Sequence, residues 1–173
     1  MEFTSKRREF RNKDADYSSL AQELTGLLAG EEDLVANAAN TAALLFDALP
    51  DINWAGFYFL RAANSGSANP GTELVVGPFQ GRPACVRIAL GKGVCGTSAA
   101  TRKTIVVPNV DEFPGHIACD AASRSEIVIP LIKNEKLWGV LDIDSPRLAR
   151  FDESDRTGIE RLAAIFMAAS RSP

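Results

Sequence analysis

Apolar residues recur along this chain with two different periods. From Tyr17 to Ala29, Leu20, Leu24, Leu27 and Leu28 fall on one side of a helix. Asp14 or Asp16 can cap its start and Gly30 ends it. Glu31, Glu32 and Asp33 suit the first turn of a second helix, whose stripe is Leu34, Val35, Ala38, Thr41, Ala42, Leu45 and Phe46 and which Pro50 stops. The pattern then shifts to strands. Ile52 to Leu60 predicts an aromatic-rich strand, 62–71 a hairpin loop, and Thr72 to Pro78 and Ala84 to Ala89 two more strands. Gly91, Gly93 and Gly96 bracket a turn into a short helix near Thr97 to Thr101. A short strand, Thr104 to Val107, precedes a long polar loop from Pro108 to Ala122. Glu126 to Lys133 and Lys136 to Asp144 are strands joined by Asn134-Glu135, a pair suited to a tight antiparallel turn. A last helix follows Phe151, capped by Asp152 with Asp155 nearby, and its stripe is Ile159, Leu162, Ala163, Phe166 and Met167.

Hairpin-connected strands with helices at both ends predict an α+β fold. Its central antiparallel sheet carries helices mainly on one face and leaves the other free for a loop-covered pocket. The length of 173 residues and 46% hydrophobic content fit one domain over 14–173 behind a basic tail, 1–13, holding Lys6, Arg7, Arg8, Arg11 and Lys13. A net charge of −3 gives no sign of a nucleic-acid or membrane partner. No apolar run is long enough to span a membrane and no secretory segment leads the chain, so a cytoplasmic location is expected.

Three clusters carry candidate chemistry. The cysteines are Cys85, Cys95 and Cys119, an odd number that argues against a structural disulfide framework and leaves core thiols or redox thiols. Cys119 lies in the Pro/Gly-rich loop, where an accessible thiol is governed by its pKa. Zinc is a poor fit, because no CxxC pair exists and His116 is the only histidine. The glycine-rich run Gly91 to Gly96 can bring backbone N–H groups close to an anion, or can simply be a turn. Glu126, Asp142 and Asp144 sit in apolar strands, and 142 and 144 leave the same face. Two carboxylates so placed need an ammonium ligand or a shared proton between them, unless both are solvated strand-end acids. In Trp54-Ala55-Gly56-Phe57-Tyr58-Phe59, alternation puts Trp54, Gly56 and Tyr58 on one face and Phe57 and Phe59 on the other.

The segments Asn53-Trp54-Ala55-Gly56-Phe57-Tyr58, Val76-Gly77-Pro78-Phe79-Gln80-Gly81, Gly93-Val94-Cys95-Gly96, Gly115-His116-Ile117-Ala118-Cys119-Asp120, Ser125-Glu126-Ile127-Val128 and Leu141-Asp142-Ile143-Asp144-Ser145 together resemble the free methionine-R-sulfoxide reductases, which are GAF-domain enzymes. The resemblance runs from about Asp14 to the C-terminus. It implies that Cys119 attacks the sulfoxide sulfur of free methionine-R-sulfoxide and becomes a sulfenic acid. A second cysteine then closes a disulfide, with Cys95 favoured and Cys85 the alternative, and thioredoxin reduces it. It implies no cofactor. Glu126, Asp142 and Asp144 would share two roles, proton donor and ammonium binder, without an individual assignment. Trp54 and Tyr58 would contact the S-methyl group, and N–H groups around Gly93, Val94 and Cys95 would hold the α-carboxylate. A homodimer is left open. The alternatives are a non-catalytic GAF ligand sensor and a peroxide-reactive thiol protein.

Overall fold

A computed structural model describes residues 10–63, 71–116 and 120–171. The elements, in chain order, are α1 (Lys13–Leu27), α2 (Leu34–Ala48), β1 (Trp54–Ala62), β2 (Thr72–Gly81), β3 (Arg87–Ala89), α3 (Gly93–Thr101), β4 (Ile105–Val107), β5 (Ser125–Lys133), β6 (Lys136–Ser145) and α4 (Glu153–Ala169). Among the described residues, six strands form one antiparallel sheet in the order β3-β2-β1-β6-β5-β4. Asn134 and Glu135 both take positive φ, as a tight β5–β6 turn requires.

Strand alternation divides the apolar residues between two cores. Ala55, Phe57, Phe59, Ile127, Ile129, Leu141 and Ile143 pack under α1, α2 and α4. On the opposite face, Trp54, Tyr58, Val128 and Val140 meet Val94, Cys95 and Ala99 of α3. The expected sorting of Trp54 and Tyr58 away from Phe57 and Phe59 is therefore met, and among the described residues three of the four α-helices lie on one side. The thinner α3 side leaves room for a pocket.

Several boundaries differ from expectation. Asn12, not Asp14 or Asp16, caps α1. Its side chain accepts from Ala15 N, while Asp16 accepts from Asn12 N. Lys13, grouped with the basic tail by composition, is the first residue of α1. The reason is tertiary: its ammonium lies 2.5 Å from Asp155 and 2.7 Å from Asp152, at the start of α4. The glycine run is part turn and part helix: Gly91, at positive φ, lies in the turn between β3 and α3. Gly93 to Gly96 form the first turn of that helix, which begins four residues earlier than expected. A Cβ on Gly96 would collide with the Ala89 carbonyl oxygen, so only glycine lets α3 sit this close to β3. Among the described residues, no helix is long and apolar enough to cross a membrane.

Candidate active site

The pocket opens on the α3 face of the sheet. Its floor is set by strand register. Asp142 stands beside Val128 of β5 and Gly56 of β1, and Asp144 beside Glu126 and Trp54. Because Glu126, Asp142 and Asp144 occupy the same parity of adjacent strands, all three carboxylates enter one pocket. The walls are Trp54, Tyr58 and Ile88, the first turn of α3 at Gly93, Val94 and Cys95, and the loop residues Arg82, Pro83, His116, Asp120 and Ser123. Trp54 is fixed on both sides, stacked on Phe79 and Tyr58, with its indole N–H donating 3.1 Å to the Arg82 carbonyl.

Burial dominates the electrostatics. Glu126 and Asp142 are almost fully enclosed, and one Asp142 oxygen is buried without a hydrogen-bond partner. Desolvation raises all three carboxyl pKa values. Asp142 is pushed up to about 7; hydrogen bonds from Cys95 and Glu126 oppose that rise. Glu126 and Asp144 are also raised well above the ordinary carboxylate range, first by burial and then by the neighbouring Asp142 charge. The Cys95 thiol lies 3.9 Å from a Glu126 oxygen, and burial followed by the same acids raises its pKa well above the ordinary range. The acids converge on one pocket, and burial removes the reading of a solvated strand-end acid for Asp142, whereas Asp144 is half-buried. His116 Nε2 is 3.8 Å from the other Glu126 oxygen. Burial lowers its pKa, with the Asp111 charge opposing, so the imidazole faces the acids without a full charge of its own.

The cysteines divide. Cys95 is a buried free thiol, and Cys85 is disulfide-bonded. Cys119, the expected nucleophile, lies outside the described residues. The resolver role that the resemblance placed first on Cys95 meets a physical obstacle: a thiol this deeply buried beside two acids resists becoming a thiolate. Spacing along the chain also gave no hint that Cys95, Glu126 and Asp142 converge, their ligand atoms all within 4.8 Å of one another.

Sequence reasoning missed the frame around the pocket. Asp120 accepts from Asn53 Nδ2 at 3.1 Å and from Ala122 N at 2.9 Å, and pairs with Arg82 at 3.8 Å. The Ala122 amide is the main cause of its lowered pKa, with Asn53 and Arg82 adding to it. These contacts tie the loop after β2 to the loop before β5. Their only signal in the sequence was position: each polar residue sits within a few residues of a cysteine or of the aromatic strand.

The GAF domain family pattern matches residues 21–169. The protein YtsP of Bacillus subtilis is 50% identical over 88% of this chain and 89% of its own length. The free methionine-R-sulfoxide reductase of Escherichia coli is 48% identical over 88% of this chain and 87% of its own. The crystal structure of free methionine-R-sulfoxide reductase from Neisseria meningitidis in complex with its substrate superposes with a TM-score of 0.83 at 42% identity, covering 96% and 95% of the two chains. With its fold and pocket architecture, this chain belongs to the free methionine-R-sulfoxide reductase family of GAF-domain proteins.

Proposed function

We propose that the protein reduces the (R)-sulfoxide of free methionine to methionine, using Cys119 as nucleophile. The observation that carries this reading is the convergence of Glu126, Asp142 and Asp144 on one pocket beside Trp54, the first two buried. Asp142, pushed up to about 7, is partly ionised near neutral pH and offers the pocket a negative charge. That charge, with its unpartnered oxygen, suits an α-ammonium. Glu126 and Asp144, whose pKa values burial raises well above the ordinary range, are suited to supply the acid the reaction needs. Lys92 provides no side-chain cap to α3, which leaves first-turn N–H groups open to a carboxylate. Trp54 and Tyr58 form the apolar wall for the S-methyl end.

The chemistry balances in three steps. The Cys119 thiolate bonds to the sulfoxide sulfur as a buried acid protonates the oxygen. Transfer of that oxygen to sulfur releases methionine and leaves a Cys119 sulfenic acid. A second thiol displaces water to give a disulfide, which a dithiol protein of the thioredoxin type reduces, becoming a disulfide itself. Cys85 fits the resolver better than Cys95, because Cys85 is engaged in a disulfide while Cys95 is enclosed by acids. Recycling by a dithiol protein suits a reducing compartment such as the cytosol.

The test is direct. Purified protein with free methionine-(R)-sulfoxide and dithiothreitol should yield methionine, and the Cys119→Ser variant should yield none. Ligand binding without product would support a sensor, and near-normal turnover by Cys119→Ser would displace the nucleophile.

A further inference from the structure

The proposed mechanism leaves one buried nucleophile without a task. Cys95 is a free thiol inside the pocket, and an ammonium gains little from a neighbouring sulfur. A thiol flanked by two carboxylates is, however, a donor set for a borderline metal ion. Cys95 Sγ lies 3.9 Å from Glu126 Oε1, and one ligand atom each from Cys95, Glu126 and Asp142 lie within 4.8 Å of one another. A tetrahedral zinc with usual bond lengths holds sulfur and oxygen about 3.5 Å apart, so a contraction of a few tenths of an ångström closes the Cys95–Glu126 side. One Asp142 oxygen is buried without a partner at this point. His116 Nε2, 3.8 Å from the second Glu126 oxygen, stands close enough to become a fourth ligand after a small side-chain movement.

We propose that Cys95, Glu126 and Asp142 form an inhibitory site for Zn2+ that excludes substrate from the pocket. Burial keeps Cys95 a thiol in the metal-free protein, but a bound Zn2+ displaces that proton, and the thiolate so formed selects zinc over magnesium or calcium, which prefer all-oxygen shells. The metal would occupy the position offered to the substrate ammonium, so metal and amino acid compete. That competition rests on the function proposed above, whereas the metal site itself does not.

Cobalt(II) serves as the probe, because a cobalt-bound thiolate has its own charge-transfer absorption. In a Cys85→Ser/Cys119→Ser protein, Cys95 is the sole thiol. Anaerobic Co2+ titration should then give this absorption, saturating near one metal per chain. Zn2+ should abolish it by displacement, and excess free methionine should weaken it. Adding Asp142→Asn or Glu126→Gln should weaken cobalt binding at least about tenfold. If the double variant does not fold, the Cys119→Ser protein is titrated beside its Asp142→Asn derivative. No thiolate absorption, or an affinity indifferent to both acid substitutions, would overturn the site. Methionine production by the wild type with no cobalt absorption removes only the metal site. Cobalt absorption that free methionine leaves unchanged removes the competition.

Discussion

At the residue scale, the proposed function makes charge the property by which the pocket selects its substrate. Acetylating the amine of methionine sulfoxide removes the ammonium and leaves the Asp142 charge buried and unpaired, which costs about 1–3 kcal/mol or more. Each 1.36 kcal/mol is tenfold in rate, so kcat/KM for N-acetyl-methionine sulfoxide should fall at least about tenfold below that for the free amino acid. Asp142→Asn should narrow this gap by slowing the free substrate more than the acetylated one. Equal loss on both would make Asp142 a proton donor instead. The cysteines give a second expectation. Cys85→Ser should release about one methionine per enzyme in a single turnover yet stall with thioredoxin as reductant, because the sulfenic acid forms without a resolver but the recycling disulfide does not. Cys95→Ser should retain the oxidised disulfide on mass mapping. Loss of the disulfide in Cys95→Ser, with its survival in Cys85→Ser, would restore the resolver role to Cys95.

At the scale of elements, the fold depends on how α1 meets α4. Asp155 is fully buried and accepts from Tyr17 Oη at 2.8 Å, Lys13 Nζ at 2.5 Å, Arg150 Nη1 at 3.0 Å and the Asp152 amide at 3.0 Å. The Asp152 and Asp155 side chains form a reciprocal capping box. Removing Asp155 leaves the Arg150 guanidinium, only 6% exposed, without its carboxylate. Asp155→Ala should therefore cost roughly 3–5 kcal/mol. Lys13 remains 30% exposed, so Lys13→Ala should cost about 1 kcal/mol or less. Chemical denaturation of the two variants checks the contrast, and equal losses would mean that Lys13 carries the junction. Gly158 of α4 belongs to the same contact: a Cβ there would enter the Tyr17 ring, so the helix gives up alanine's higher propensity for close approach.

At the scale of the whole molecule, the site works against stability. Asp142 ionises near 3.9 in an unfolded chain and at about 7 in the folded one. The folded state then binds more protons than the unfolded state between these values, so stability falls as pH rises through that window. Thermal unfolding should show the substrate-free protein more stable at pH 5 than at pH 8. Asp142→Asn, which cannot ionise, should flatten the slope and raise the melting temperature at pH 8. An unchanged pH slope in the variant would place the titration elsewhere. Free methionine should stabilise the wild type most at the higher pH, where its ammonium meets an ionised partner.

The sequence by itself determined the element order, the antiparallel sheet with its main helix layer, and, within each strand, the pairing of Trp54 with Tyr58 and of Asp142 with Asp144 on one face. These follow from periodicity, which each segment carries locally. The starts of α1 and α3 were not legible, because Lys13 is held by Asp155 and Gly96 by close packing on Ala89, both contacts made outside their own segments. Most of the site's chemistry belongs to tertiary structure as well. Residues 95, 126 and 142 are far apart in sequence, and only β5–β6 register and the seating of α3 bring them together. Burial then sets their protonation, and no composition or spacing encodes how much water a folded pocket excludes.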